Sequence, residues 1–218
     1  MIPAQPSDTR PILAITMGDA AGIGPEIVIK ALARPEVRQH CRPLLVGDLA
    51  ILQAHLRFWP ADSSDPPPAL VAVQDVAAWQ WPEAVVPVWQ PGAALAPVPP
   101  GQLSAEAGRG AVAYVLAAVA LAKAGAVAGI VTAPLNKEAI HLAGYHYPGH
   151  TELLAEQYGV QHYSLVLSAR GQFVFHVTTH VSLRQALDLI TPGRVLGQVR
   201  LAHLLAKALG RGEETIAV

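Results

Sequence analysis

The chain has 218 residues, 52% of them hydrophobic and only 14% charged, with a formal net charge of −1 and a single cysteine, Cys41. This is a globular composition, long enough for one large domain or two small ones, and its lack of any long basic or acidic block argues against a nucleic-acid or anionic-membrane partner. One cysteine excludes an internal disulfide framework and fits a reducing compartment, and the sparse charge leaves room for a buried subunit interface.

The first ten residues lack the charged-then-apolar order of a signal peptide, so they are expected to be a disordered N-terminus on a cytoplasmic protein. The longest apolar run, Ala111 to Ala122, is too short to cross a bilayer.

Pro11 to Met17 is a short apolar run that leads into the loop G-D-A-A-G-I-G and then a helix from Pro25 to Ala33. Strand, glycine loop and helix open an α/β unit, with Pro25 suited to the first helical turn and Glu26 to the positive end of the helix dipole. Gly18, Gly22 and Gly24 match neither G-x-G-x-x-G nor a P-loop. Two readings of them stay open: backbone approached by a ligand, or a tight strand-to-helix turn.

Arg42 to Gly47 predicts a second strand, and Asp48 a cap for a helix through Ile51, Leu52, His55 and Leu56. The proline-rich insert at 61 to 68 predicts a solvated loop, and the weak strands at 69 to 74 and 84 to 89 a peripheral or second-subdomain sheet. Trp79, Trp81 and Trp89 are spaced as packing residues.

Ser104 with Ala107 onward opens the longest helix, to about Ala124, apolar nearly all round and therefore buried in a core or between subunits. Gly129 to Pro134 predicts a buried strand with Lys137 at its C-terminal end, where a cation meets an anionic substrate or assists proton transfer, or is simply a solvated helix-start lysine. Residues 150 to 158 predict a helix whose start carries His150, Thr151 and Glu152, an anion seat made of imidazole, hydroxyl and free amides.

Tyr163 to Ala169 and Phe173 to Thr179 predict a hairpin across A-R-G-Q. Strand alternation would put His176, Thr178 and His180 on one face, with His180 at the strand end just before a helix capped by Ser182. A neutral imidazole there suits a metal if other ligands converge, or is a hydrogen-bonded loop histidine. A last helix spans about 194 to 209, and G-E-E-T-I-A-V then begins a strand, which leads to the expectation that the chain is the N-terminal part of a longer protein.

Five stretches, T-M-G-D-A-A-G-I-G-P-E-I (16 to 27), G-Q-L-S-A-E-A-G (101 to 108), T-A-P-L-N-K-E-A-I (132 to 140), P-G-H-T-E (148 to 152) and T-T-H-V-S-L-R (178 to 184), together resemble the 4-hydroxythreonine-4-phosphate dehydrogenase family. The resemblance implies an α/β fold like that of the isocitrate and isopropylmalate dehydrogenases, with two α/β domains around a cleft and a homodimer. In this chain it covers residues 11 to 218 as one dehydrogenase region whose C-terminal part is absent. It implies NAD, a divalent cation (Zn, Mg, Mn or Co) and a phosphorylated hydroxy acid, which NAD oxidises before decarboxylation. His150 and Thr151 are implied to bind substrate, and His180 to be one of three metal ligands. The other two belong to family motifs, N-P-H-A-G-E and an H-D-Q-G type, that this sequence does not contain.

Ala20 in place of the family's usual proline, and T-H-V-S-L-R in place of T-H-L-P-L-R, resemble the branch acting on 4-phospho-D-threonate or 4-phospho-D-erythronate. The competing readings are a dihydrodiol-carboxylate dehydrogenase of aromatic degradation, which shares these motifs, and a non-catalytic binding or assembly module.

Overall fold

The structure, a computed structural model, describes residues 8–63, 66–82 and 85–218. The chain divides into two compact units, Met1–Leu154 and Ala155–Val218.

The first unit is built on a five-stranded, all-parallel sheet. Its strands are β1 (Ile12–Thr16), β2 (Arg42–Val46), β3 (Ala69–Ala72), β4 (Val85–Trp89) and β5 (Gly129–Thr132), in the order β3-β4-β2-β1-β5. Central strands of a parallel sheet are covered on both faces, so they read as continuous apolar runs rather than alternating ones. Ala14, Ile15 and Thr16 of β1 and Leu44, Leu45 and Val46 of β2 are accordingly buried. The two weak strands of the sequence both join this sheet, β3 at its edge and β4 beside β2, so no second subdomain forms from them. Pro87 costs β4 only one backbone donor, and Val86 and Val88 on either side are buried. Ala84, at the start of the expected strand, and Ser64 and Asp65 of the insert lie outside the described residues.

Helices α1 (Gly24–Ala33), α2 (Pro35–His40), α3 (Leu49–His55) and α4 (Ala105–Lys123) connect the strands. Asp48 caps α3 by accepting from the Ile51 amide at 3.1 Å, and Ser104 caps α4 by accepting from Ala107 at 3.3 Å, as their positions in the sequence predict. Helix α4 is long and apolar enough, by length and composition alone, to cross a membrane, which corrects the estimate based on the Ala111–Ala122 run. Half of its apolar window is buried within the fold, and it packs on β1, β2, β5 and α5 (Lys137–Leu142), as the core helix of a globular unit does. Val112 and Val115 of α4, Ile140 of α5 and Leu153 of α6 (His150–Tyr158) form a second small core. Trp81 and Trp89 pack against the main core, as their spacing suggests. Of the expected N-terminal disorder, residues 1–7 lie outside the described residues, while Arg10 is held to Asp8 and to the Arg38 carbonyl.

The second unit contains an antiparallel hairpin, β6 (Val166–Ala169) and β7 (Gln172–Phe175), and two helices, α7 (Leu183–Leu189) and α8 (Pro192–Ala208). The hairpin forms where expected but is shorter, because pairing ends at Val166 and Phe175. Residues 176 to 180 are therefore not strand, and the one-face alignment of His176, Thr178 and His180 does not exist. The Thr215–Val218 segment is likewise not a strand, since among the described residues it has no pairing partner.

Candidate active site

In the strand order, β1 lies between β2 and β5, so successive connections leave it in opposite directions. At such a switch point the loops at the strands' C-terminal ends diverge and open a crevice, the usual ligand site of a parallel α/β sheet. The two loops here are G-D-A-A-G-I-G after β1 and A-P-L-N after β5, and they are tied together: the Asp19 amide donates to the Pro134 carbonyl at 3.0 Å. A third segment closes on them, with the Gly101 amide donating to the Ala21 carbonyl at 2.7 Å. Three of the sequence motifs, 16 to 27, 101 to 108 and 132 to 140, thus meet at one end of the sheet.

The glycines of the first loop are explained by this closure. Gly18 has φ +71°, and a β-carbon on it would lie 2.3 Å from the Pro134 carbonyl oxygen; one on Gly24 would lie 2.2 Å from that of Met17. The chain's own backbone occupies the space these glycines leave, which decides for the tight turn over a ligand cradle at those two positions.

Asp19 went unnoticed in the sequence, although an aspartate following glycine in a strand-end loop is a turn signal. It is 6% exposed, and its carboxylate accepts from the Ala21 amide at 2.8 Å. Burial pushes its pKa up, and the hydrogen bonds from the Ala21 and Gly22 amides draw it back down. The carboxylate's visible work is to hold the loop's shape.

Lys137 is the first residue of α5, exposed, and follows Asn136, whose side chain caps the helix through the Ala139 amide at 3.1 Å. It leaves the C-terminal end of β5 as the sequence predicts. His150 begins α6, where Leu153 anchors the helix to Val112, Val115 and Ile140, so α5 and α6 share one small core. The imidazole is half-buried, and its Nε2 is enclosed without a hydrogen-bond partner among the described residues. Burial pushes its pKa below the ordinary histidine value, which favours the neutral ring. Thr151 beside it is exposed.

His180 belongs to the second unit. It is exposed, with φ +57°, two residues before Ser182, whose hydroxyl and backbone form a reciprocal capping box with Gln185 at the start of α7. The helix start is as predicted; the histidine is on a left-handed turn rather than at a strand end. Such a backbone is uncommon for a residue with a β-carbon, and histidine is among the residues that tolerate it. His176 is half-buried, with Nδ1 3.0 Å from the Leu165 carbonyl oxygen. Among the described residues no three His, Cys, Asp or Glu side chains cluster as a metal site would require. A lone exposed imidazole does not hold a divalent cation, so His180 fits such an ion only as one donor of a larger set.

Comparison with known proteins agrees with the motifs. The family model described as pyridoxal phosphate biosynthetic protein PdxA matches residues 39–218. A D-threonate 4-phosphate dehydrogenase of Bordetella bronchiseptica is 52% identical over 209 residues, covering 95% of this chain and 58% of its own. The crystal structure of a 4-hydroxythreonine-4-phosphate dehydrogenase from Burkholderia phymatum superposes with a TM-score of 0.80 at 40% identity, over 90% of this chain and 58% of that one. A terephthalate 1,2-cis-dihydrodiol dehydrogenase from Burkholderia xenovorans superposes less closely, with a TM-score of 0.61 at 26% identity over 92% of this chain and 58% of that one. The chain therefore spans about three fifths of the length of the proteins it matches. With a match over most of its length and a parallel α/β sheet that superposes on solved members, the chain belongs to the PdxA family.

Proposed function

We propose that the protein is an NAD-dependent dehydrogenase, a homodimer of the cytoplasm, that oxidises a phosphorylated β-hydroxy acid, 4-phospho-D-threonate, with loss of carbon dioxide. The observation that carries this reading is the 52% identity to a D-threonate 4-phosphate dehydrogenase, held across the motif-bearing segments that meet at the C-terminal ends of β1 and β5. The two-domain, cleft-bearing architecture of the complete enzyme is part of the same proposal.

In such a substrate the oxidised hydroxyl lies β to a carboxylate. NAD, when bound, would supply the hydride acceptor for that carbon. The β-keto acid left behind is activated toward decarboxylation, because its ketone accepts the electrons of the breaking carbon–carbon bond. His150 and Thr151 hold the phosphorylated end: a neutral imidazole and a hydroxyl are hydrogen-bonding groups at the positive end of the α6 dipole, where an anion is favoured. The enclosed, unpartnered Nε2 of His150 is the group that such a contact would satisfy. Lys137, just beyond the end of β5, supplies a cation for the substrate carboxylate or assists removal of the proton that the hydroxyl loses as its carbon gives up the hydride. His180 would supply one donor to a divalent cation, Zn, Mg, Mn or Co, which needs further donors than the single imidazole found there. Gly18 and Gly24 do not offer NAD a cradle, because the chain's own backbone occupies the space beside them.

The test is NADH formation by the full-length protein with 4-phospho-D-threonate, NAD and each of those cations. The phosphorylated acid is expected to be turned over far faster than a cyclic dihydrodiol carboxylate, in line with the lower identity to the dihydrodiol enzyme. His180→Ala should abolish the cation-dependent part of the rate. Absence of NADH with every phosphorylated acid would favour the non-catalytic module, and preference for the cyclic diol the aromatic-degradation reading.

A further inference from the structure

The turn that carries the chain out of α5 brings two exposed histidines side by side. His141 lies in the last turn of the helix, which ends at Leu142. Gly144 then takes a left-handed backbone, φ +89°, and the Tyr145 and Gly144 amides donate to the Ile140 and His141 carbonyls, each at 2.9 Å. This pair of bonds is a Schellman closure, which turns the chain back over the helix end. His146 thus returns alongside His141, with ring centroids 5.7 Å apart and ring planes at 42°. We propose that His141 and His146 together chelate a divalent transition-metal ion of the zinc, nickel and copper class, in a site that does not draw on His180.

The first support is distance. An imidazole nitrogen binds zinc at roughly 2.0–2.1 Å, which puts the ring centroid about 3.2 Å from the ion and the centroids of two rings on one tetrahedral ion about 5.3 Å apart. The 5.7 Å between His141 and His146 is close to that separation, and small rotations of exposed side chains take up the rest. Burial does not explain the pairing, since both residues are exposed. The returning strand of the turn is also held in place: Tyr145 and Tyr147, on either side of His146, pack against the small core of Val112, Val115, Ile140 and Leu153. Donors positioned in advance lose little freedom on binding.

The second support is donor chemistry. Imidazole suits zinc, copper and nickel, whereas magnesium and calcium prefer oxygen. Among the described residues no third His, Cys, Asp or Glu joins the two rings, so water completes the coordination. Two protein donors are fewer than a structural or catalytic zinc site uses, and the ion is accordingly held reversibly. The location gives such binding a consequence, because the turn leads from α5, which begins at Lys137, to α6, which begins at His150. A bound ion would cross-link the end of α5 to the chain just ahead of His150 and stiffen the segment that presents that imidazole.

The experiment is calorimetric titration of metal-free, full-length His180→Ala protein with nickel, zinc and magnesium chlorides; the His180 substitution disables the cation site of the proposed dehydrogenase. Saturable binding of nickel and zinc, absent with magnesium, is expected. In that background His141→Asn and His146→Asn should each weaken the binding by roughly tenfold or more, because the second imidazole of a chelate meets the ion at high effective concentration. Both positions are exposed, and the thermal midpoint without metal reports whether each variant folds. Nickel is paramagnetic, so NMR of histidine-labelled protein gives a second reading: the His141 and His146 ring signals should broaden together, at the lowest nickel concentrations. No saturable nickel or zinc binding, or binding that both substitutions leave unchanged, would overturn the proposal. The readout is binding rather than NADH formation, so its failure is distinct from failure of the dehydrogenase reading.

Discussion

A β-carbon on Gly108 would lie 2.0 Å from the carbonyl oxygen of Ala139, so α4 and α5 meet backbone against backbone. This contact joins the 101–108 motif to the 132–140 motif and sets the position from which Lys137 leaves β5. Gly108→Ala must push the helices apart, and overpacking of this kind costs about 2–3 kcal/mol. The urea midpoint of the full-length protein should fall accordingly. An unchanged midpoint would mean that the two helices are not in contact.

Asp48, 1% exposed, serves two partners: Oδ1 accepts from the Ile51 amide at 3.1 Å, and Oδ2 from the Leu95 amide at 2.8 Å. The first bond caps α3 and the second pins the segment that leads to α4. Asp48→Ala removes a helix cap and strands a backbone donor, together about 2 kcal/mol. Chemical denaturation measures the loss, and Asp48→Asn, which keeps one acceptor oxygen, should lose less.

The pKa of His150 is lowered by burial, so the folded state binds fewer protons than the unfolded state near neutrality. Stability from this group is therefore complete above the unfolded pKa of 6.5 and is lost as pH falls through it toward the folded value. Denaturation midpoints measured over roughly pH 5 to 8 should drop on the acid side, and His150→Asn should flatten that part of the curve. Titration of the ring by NMR should give a midpoint below 6.5.

The hairpin between β6 and β7 turns on Arg170 and Gly171, with φ +50° and +77°. Two left-handed residues match a type I′ turn, in which asparagine is preferred before glycine. Arg170→Asn should stabilise the second unit by about 0.5–1 kcal/mol, as a rise in its thermal midpoint. A fall would mean that the arginine side chain makes a contact worth more than the backbone strain.

Much of the fold was legible from local chemistry. Asp48, Ser104 and Ser182 each cap the helix the sequence assigns to them, because a side-chain oxygen satisfies amides only a few residues away. The apolar runs at 12–16 and 42–46 announce strands covered on both faces. The extent of β7 was not legible: a β-branched run continues to Thr179, but pairing stops when the partner strand does, and His180 turns left-handed instead of ending a strand. The candidate site divides in the same way. Lys137 and His150 start helices as their sequence positions say, while Asp19 emerged only from its burial.

The sequence by itself determined the family, the alternation of strands and helices and the polar residues at the helix starts, all carried by motifs and short-range patterns. Only the tertiary structure decided which loops meet. Strand order brings the loop after β1 beside the loop after β5, across more than a hundred residues of chain, as the Asp19–Pro134 hydrogen bond records. It also decided what the glycines are for, since the atoms that crowd Gly18 and Gly108 come from Pro134 and Ala139. Contacts of that range depend on how the sheet assembles, and no local spacing encodes them.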